Sequence, residues 1–164
     1  MAGSIKKFSV IFEGVGVATG KMRNDIAVSW PMMNEHFELA TDEGPFHGGD
    51  GTAPPPLALF TAALTGCLMT QLRAFAKRLD VQIHDLKVNT KLHWSAEQEG
   101  NKPYVSMPEL FTLDIEMDTD VNVSEKIALI QAATKGCFIE QSLSDRVKVK
   151  HRLKDNSGWI EVGI

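Results

Sequence analysis

The sequence predicts an α+β protein in which antiparallel sheet packs on one long central helix and on a second helix near the C-terminus. Three observations carry this. Residues 57–79 place Leu57, Phe60, Leu64, Leu68, Phe75 and Leu79 on one face at helical spacing. Residues 86–94 and 111–117 alternate apolar and polar side chains with the period of half-buried strands. The order strands, helix, strands, helix, strands segregates helices from sheet in the manner of α+β architectures.

Taken in order, Ile5–Glu13, Asp25–Pro31 and His36–Ala40 carry short apolar stretches, with Phe8, Val10 and Phe12 at alternate positions, and read as a three-stranded meander joined by glycine-containing turns. Thr41–Thr52 holds Asp42-Glu43-Gly44-Pro45 and His47-Gly48-Gly49-Asp50-Gly51 and reads as a functional loop. Pro54-Pro55-Pro56 opens the helix Leu57–Leu79, since proline suits the first helical turn. Its first half is nearly apolar all round, whereas Arg73, Lys77 and Arg78 enter only in the second, so the first half needs protein on every side. A second copy of the chain is expected to supply that cover in a homodimer.

Two strands follow, carrying Leu86, Val88, Leu92 and Trp94, then Phe111, Leu113, Ile115 and Met117, and joined through Ala96–Tyr104. Ser124 is placed to N-cap a second helix reaching about Lys135, and Gly136 suits a left-handed residue ending it. Cys137 then begins a short helical segment to about Leu143. Val147, Val149 and Leu153 alternate with Lys148, Lys150 and Arg152 in a further strand, and Trp159-Ile-Glu-Val closes a final hairpin.

The chain has 164 residues, 43% hydrophobic and 23% charged, which fits one domain over residues 1–164 and excludes disordered and collagen-like classes. With 17 basic residues against 21 acidic, no nucleic-acid or anionic-membrane partner is expected. The N-terminal stretch lacks the apolar run of a secretory signal and no segment reads as a bilayer span, so a cytoplasmic location is expected. In that compartment the Asn122-Val123-Ser124 sequon carries no glycan. His36, His47, His84, His93 and His151 show no ligand spacing with each other or with cysteine, so no metal site is expected. His93 and His151 read as structural residues of strands, and Glu140 as a surface glutamate.

The chemistry-bearing candidates are the two cysteines. A free thiol is only about 3% ionised at neutral pH, so reactivity requires a cation or a helix N-terminus nearby. Cys67 lies at the edge of the apolar stripe, where it reads equally as a small buried hydrophobe, and Gly66 beside it points to close packing at that turn. Cys137 follows Gly136 at the start of a short helix, where free backbone N–H groups would favour a thiolate.

The run Ala53-Pro-Pro-Pro-Leu-Ala-Leu-Phe-Thr-Ala-Ala-Leu-Thr-Gly-Cys-Leu-Met, with Lys135-Gly-Cys-Phe-Ile-Glu-Gln-Ser-Leu carrying the second cysteine, resembles the OsmC/Ohr family. Ala18-Thr-Gly-Lys-Met-Arg23 resembles that family's arginine-bearing N-terminal turn. The resemblance covers about residues 8–155 and implies an intertwined homodimer with active sites at the subunit interface. It implies Cys67 as the peroxidatic cysteine, Cys137 as the resolving one and Arg23 as the cation holding the thiolate, with Lys21 the competing assignment. The substrate implied is a small organic hydroperoxide, apolar because the helix is rich in Leu, Phe and Met, and the reductant a thiol or dithiol, with no cofactor. One departure stands out: the peroxidase branches carry a glutamate ten residues before the first cysteine that orients the arginine, and here Pro55-Pro56-Leu57 stands in its place. Glu43 or Asp50 is the expected substitute carboxylate. That departure favours, as an alternative, a non-catalytic ligand-binding member of the group. A thioesterase of the hotdog type, whose glycine-bearing loop also enters a central helix, is a further alternative, although the second helix and its cysteine lie outside that plan.

Overall fold

The computed structural model describes residues 5–164, which divide into two compact units, residues 5–59 and 60–164. Unit 1 contains a meander of β1 (Glu13–Ala18), β2 (Asn24–Trp30) and β3 (Glu35–Thr41), antiparallel throughout. The first strand begins where the predicted one ends: residues 5–12 are not in a strand, and the pairing runs from Glu13↔Ser29 to Ala18↔Asn24. Alternation is present in β1 but lies between Gly14, Gly16 and Val15, Val17, so glycines that read as turn residues occupy one face of a strand. Phe12 instead stacks on Trp30, ring centroids 5.1 Å apart.

The loop after β3 is irregular, as expected, and is closed around buried Asp42. Asp42 Oδ2 accepts from the Thr52 N–H (2.9 Å) and hydroxyl (2.8 Å), while Oδ1 accepts from the Glu43 N–H (2.9 Å). Gly49 is required there, because a Cβ would fall 1.9 Å from the Glu43 carbonyl oxygen.

Unit 2 is built on α1 (Pro56–Arg78), which enters from unit 1, and on a sheet in the order β4 (Ile83–Glu97), β5 (Val105–Thr119), β6 (Val149–Asp155), β7 (Gly158–Val162). The buried stripe of α1 is the i, i+4 row Leu64, Leu68, Leu72, Ala76, while Leu57 and Leu79 at its ends are exposed. By length and composition α1 is apolar enough to cross a bilayer, which the sequence reading excluded; in this fold its stripe is packed into a protein core. That core draws Phe111, Leu113 and Ile115 from β5, each fully buried and each contributing about 1.5–3 kcal/mol. Phe60, Trp94 and Phe111 meet edge to face at its end.

The β4–β5 ladder is interrupted between His93 and Trp94, opposite Pro108, which has no N–H to give to the ladder. The β5–β6 pair is parallel, unlike the other pairs, because α2 (Val123–Gly136) and α3 (Phe138–Gln141) form the crossover between those strands. The N-cap of α2 is Asn122 rather than Ser124: its side chain accepts from the Glu125 N–H, and the Glu125 carboxylate accepts from the Asn122 N–H. Gly136 is the last residue of α2 and takes no left-handed conformation. It serves close approach instead, since a Cβ there would lie 2.5 Å from Phe75 Cζ.

Candidate active site

Cys67, Gln71 and Phe75 form a second i, i+4 row on α1, partly buried and adjacent to the Leu64–Leu68–Leu72 stripe. The α2–α3 junction packs on that row. Gly136 meets the Phe75 ring and, at 3.6 Å from the site of a Cβ, the Gln71 carboxamide oxygen. Cys137, the next residue, is the C-cap of α2 and the N-cap of α3, with φ −78° and ψ 103°. That extended residue between two helices turns its side chain fully into the core, in the cluster against which Cys67 packs. Both cysteines are free. Two cysteines 70 positions apart in the chain thus share one core cluster, and Gly136 permits the close approach of the α2 end to the Cys67 row, whereas a Cβ on Gly66 would touch nothing within 4 Å.

The electrostatics of Cys137 are opposite to the sequence expectation. Burial, reinforced by the Cys67 thiol, pushes its pKa up to about 12; the Glu140 N–H pulls it down and the Glu140 carboxylate adds to the rise. One short turn, α3, has too few aligned peptides to offset desolvation. Cys137 is therefore a protonated thiol at neutral pH rather than a standing thiolate.

Two residues missed as site candidates adjoin it. Glu140 is 8% exposed, not a surface glutamate, and its Oε2 lies 3.2 Å from Nε2 of His151, itself 2% exposed. The signal was present in β6, where His151 occupies the inward phase with Val149 and Leu153, between outward Lys150 and Arg152. His93, by contrast, is exposed on β4.

In unit 1, Arg23 has its own carboxylate. Its Nε and Nη2 donate to Asp25 Oδ1 at 3.0 and 2.7 Å, and its Nη1 donates to the Thr52 carbonyl (3.2 Å) and hydroxyl oxygen (3.0 Å). Since that hydroxyl donates to Asp42, the guanidinium is fixed to the loop through a three-member relay. Hydrogen bonds from Thr19 and then Arg23 hold the Asp25 carboxyl below its usual range, and those from Thr52 do the same for Asp42. Asp50 pairs with Lys21 at 2.7 Å in an exposed ion pair whose hydrogen bond raises the lysine pKa, so it is not the partner of Arg23. Neither Glu43 nor Asp50 replaces the missing helix glutamate; Asp25, two residues beyond the arginine, makes that contact. Among the described residues no group of three or more His, Cys, Asp and Glu converges as metal ligands.

A long helix and a helix junction on one face of a mixed sheet, carrying two free cysteines in one core cluster, define an α+β thiol protein. The chain belongs to the OsmC-like protein family, whose profile matches residues 49–152. It is 45% identical to an OsmC-like hydroperoxide resistance protein from Jannaschia sp. CCS1, over 93% of this chain and 97% of that one, with a TM-score of 0.55. The fold is shared with the organic hydroperoxide resistance protein OhrB of Bacillus subtilis (18% identity, 90% and 98% coverage, TM-score 0.58). It is likewise shared with a putative organic hydroperoxide resistance protein from Vibrio cholerae that holds captopril in one active site (16%, 94% and 99%, 0.65). No curated protein matches the chain.

Proposed function

We propose that the protein is a thiol-dependent peroxidase acting on organic hydroperoxides. Cys67 thiolate attacks the O–O bond, an alcohol leaves, and the sulfenic acid formed on Cys67 condenses with Cys137 to a disulfide with loss of water. A thiol or dithiol then restores both cysteines. The observation that carries this reading is that Cys67, partly buried, packs against the core cluster that contains the buried Cys137, with the Cys67 thiol acting on that of Cys137. The protonated state of Cys137 supports the division of labour, because a protonated thiol is the poorer first nucleophile. Family membership and the 45% identical hydroperoxide resistance protein support the same chemistry.

Arg23 is assigned as the cation that holds the thiolate and polarises the peroxide; its fixation by Asp25 and Thr52 supports the role, since a tethered guanidinium loses little freedom on binding. The working form is a homodimer. The first half of α1 leaves Leu57, Ala58, Ala62, Ala63 and Gly66 exposed on a strongly apolar helix, a face that water covers poorly and a second copy would bury.

Adding one equivalent of cumene hydroperoxide and counting thiols tests the function. Loss of both thiols with release of the alcohol is expected, and Cys67→Ser should abolish turnover while keeping the fold. Retention of both thiols would overturn the proposal in favour of ligand binding.

A further inference from the structure

The reaction above leaves the buried pair beside Cys137 unused. Glu140 Oε2 and His151 Nε2 are 3.2 Å apart inside the core of unit 2. A carboxylate at that depth costs several kcal/mol unless it is paired, so its retention calls for a use. Glu140 follows Cys137 by one turn of α3, and its charge acts on the Cys137 sulfur. Among the described residues His151 Nδ1 has no hydrogen-bond partner. Nε2 is the ring nitrogen that faces the carboxylate, so the imidazole is placed to donate Nε2–H to Glu140. The core therefore holds a carboxyl group paired with a histidine, one turn of α3 from a thiol that retains its proton. Among the described residues the titratable groups acting on Cys137 are Cys67 from α1 and Glu140 from α3, and His151 from β6 faces Glu140.

We propose that Glu140 is the base that takes the proton of Cys137 as Cys137 attacks oxidised Cys67, with His151 as the residue that positions it. The proposal rests on the Cys67–Cys137 reading and adds the group that activates the second thiol. In the step, the S–H bond of Cys137 breaks and its proton passes to the Glu140 carboxylate. The sulfur's electron pair forms the S–S bond, and the S–O bond of the Cys67 sulfenic acid breaks with its pair on oxygen. The departing hydroxide recovers the proton from Glu140 and leaves as water. Cys137 is oxidised and the Cys67 sulfur reduced by equal amounts, the oxidant having been the hydroperoxide.

The test separates this step from peroxide chemistry. Cys67 of the full chain is loaded with a chromogenic aromatic thiol as a mixed disulfide, and attack by Cys137 releases the coloured thiolate without any peroxide. In the native sequence the release rate should rise with a slope well below one decade per pH unit from about pH 6 to about pH 9, because the base works on the un-ionised thiol. Glu140→Gln keeps the shape and should release the thiolate about tenfold or more slowly at neutral pH, with a slope near one, as only pre-ionised Cys137 then reacts. His151→Gln, which keeps an N–H toward Glu140, should retain more of the rate than His151→Leu. A unit slope in the native sequence, or a native rate and profile in Glu140→Gln, would overturn the proposal. Should the peroxidase reading fail, native Cys67 would survive hydroperoxide while this release experiment still reports on Glu140.

Discussion

Gly136→Ala probes the contact that brings the two cysteines together. The added methyl would lie 2.5 Å from Phe75 Cζ and 2.7 Å from Cε2, where carbon pairs prefer about 3.5–4.0 Å, so the ring or the helix must move by roughly 1 Å. The ring is packed against the core and lies under the Arg78 guanidinium, 5.4 Å from its centroid. Overpacking of this kind costs about 1–3 kcal/mol, and the better helix propensity of alanine returns at most about 1 kcal/mol. A net loss of about 1–2 kcal/mol corresponds to a fall in Tm of roughly 2–8 °C for a chain of this size. Because Cys137 is the next residue, displacement of the α2 end also draws the sulfurs apart. The Cys67–Cys137 disulfide, titrated against a glutathione buffer, should then become easier to reduce, about tenfold in equilibrium constant for each 1.4 kcal/mol of strain. Unchanged Tm together with an unchanged disulfide equilibrium would refute the argument that Gly136 sets this approach.

Gly66→Ala makes the complementary prediction. A Cβ there meets nothing within 4 Å in the single chain, so a free α1 face would gain up to about 1 kcal/mol in helix propensity, whereas a face covered by a second copy should lose dimer affinity in sedimentation analysis. Alkaline stability should follow Cys137. Its folded pKa of about 12 exceeds the unfolded value near 8.5, so its contribution is complete below about pH 8.5 and is lost as pH rises toward 12, on the order of 2 kcal/mol by about pH 10. Cys137→Ala should flatten that limb of the denaturation profile; an unchanged limb would contradict the buried protonated thiol. Asp25→Asn should release the guanidinium of Arg23 and slow the peroxide-dependent oxidation of Cys67 while leaving far-ultraviolet circular dichroism unchanged. A wild-type oxidation rate would count against the assigned role of Arg23. Asp42, held ionised by Thr52, stabilises its loop above the ordinary carboxylate range, and that contribution should fade as the solution is acidified below about pH 4.

Long periodic segments were legible in the sequence. The α1 helix and the β4–β5 pair follow hydrophobic spacing because most of their stabilisation is burial of one face. The pairing of the two cysteines and a role for Arg23 were suggested only by family likeness, since distance along a chain says nothing of distance in space. Glycine was the least legible residue. Gly14 and Gly16 lie within a strand, Gly136 marks a helix–helix contact rather than a left-handed cap, and Gly66 packs against nothing in the single chain. A residue without a side chain leaves no hydrophobic signal, so its role follows from what approaches it. Asp25 and Glu140 were passed over for a related reason: the partners that give them meaning, Arg23 and His151, become neighbours through side-chain direction and strand pairing.

The account rests on Cys67 and Cys137 acting together. Peptide mapping of the protein after a single equivalent of organic hydroperoxide, quenched with an alkylating agent under denaturing conditions, reads this directly. The account predicts one intramolecular link joining the Cys67 and Cys137 peptides, with a stoichiometric yield of alcohol. Both peptides recovered alkylated, with the hydroperoxide intact, would contradict it.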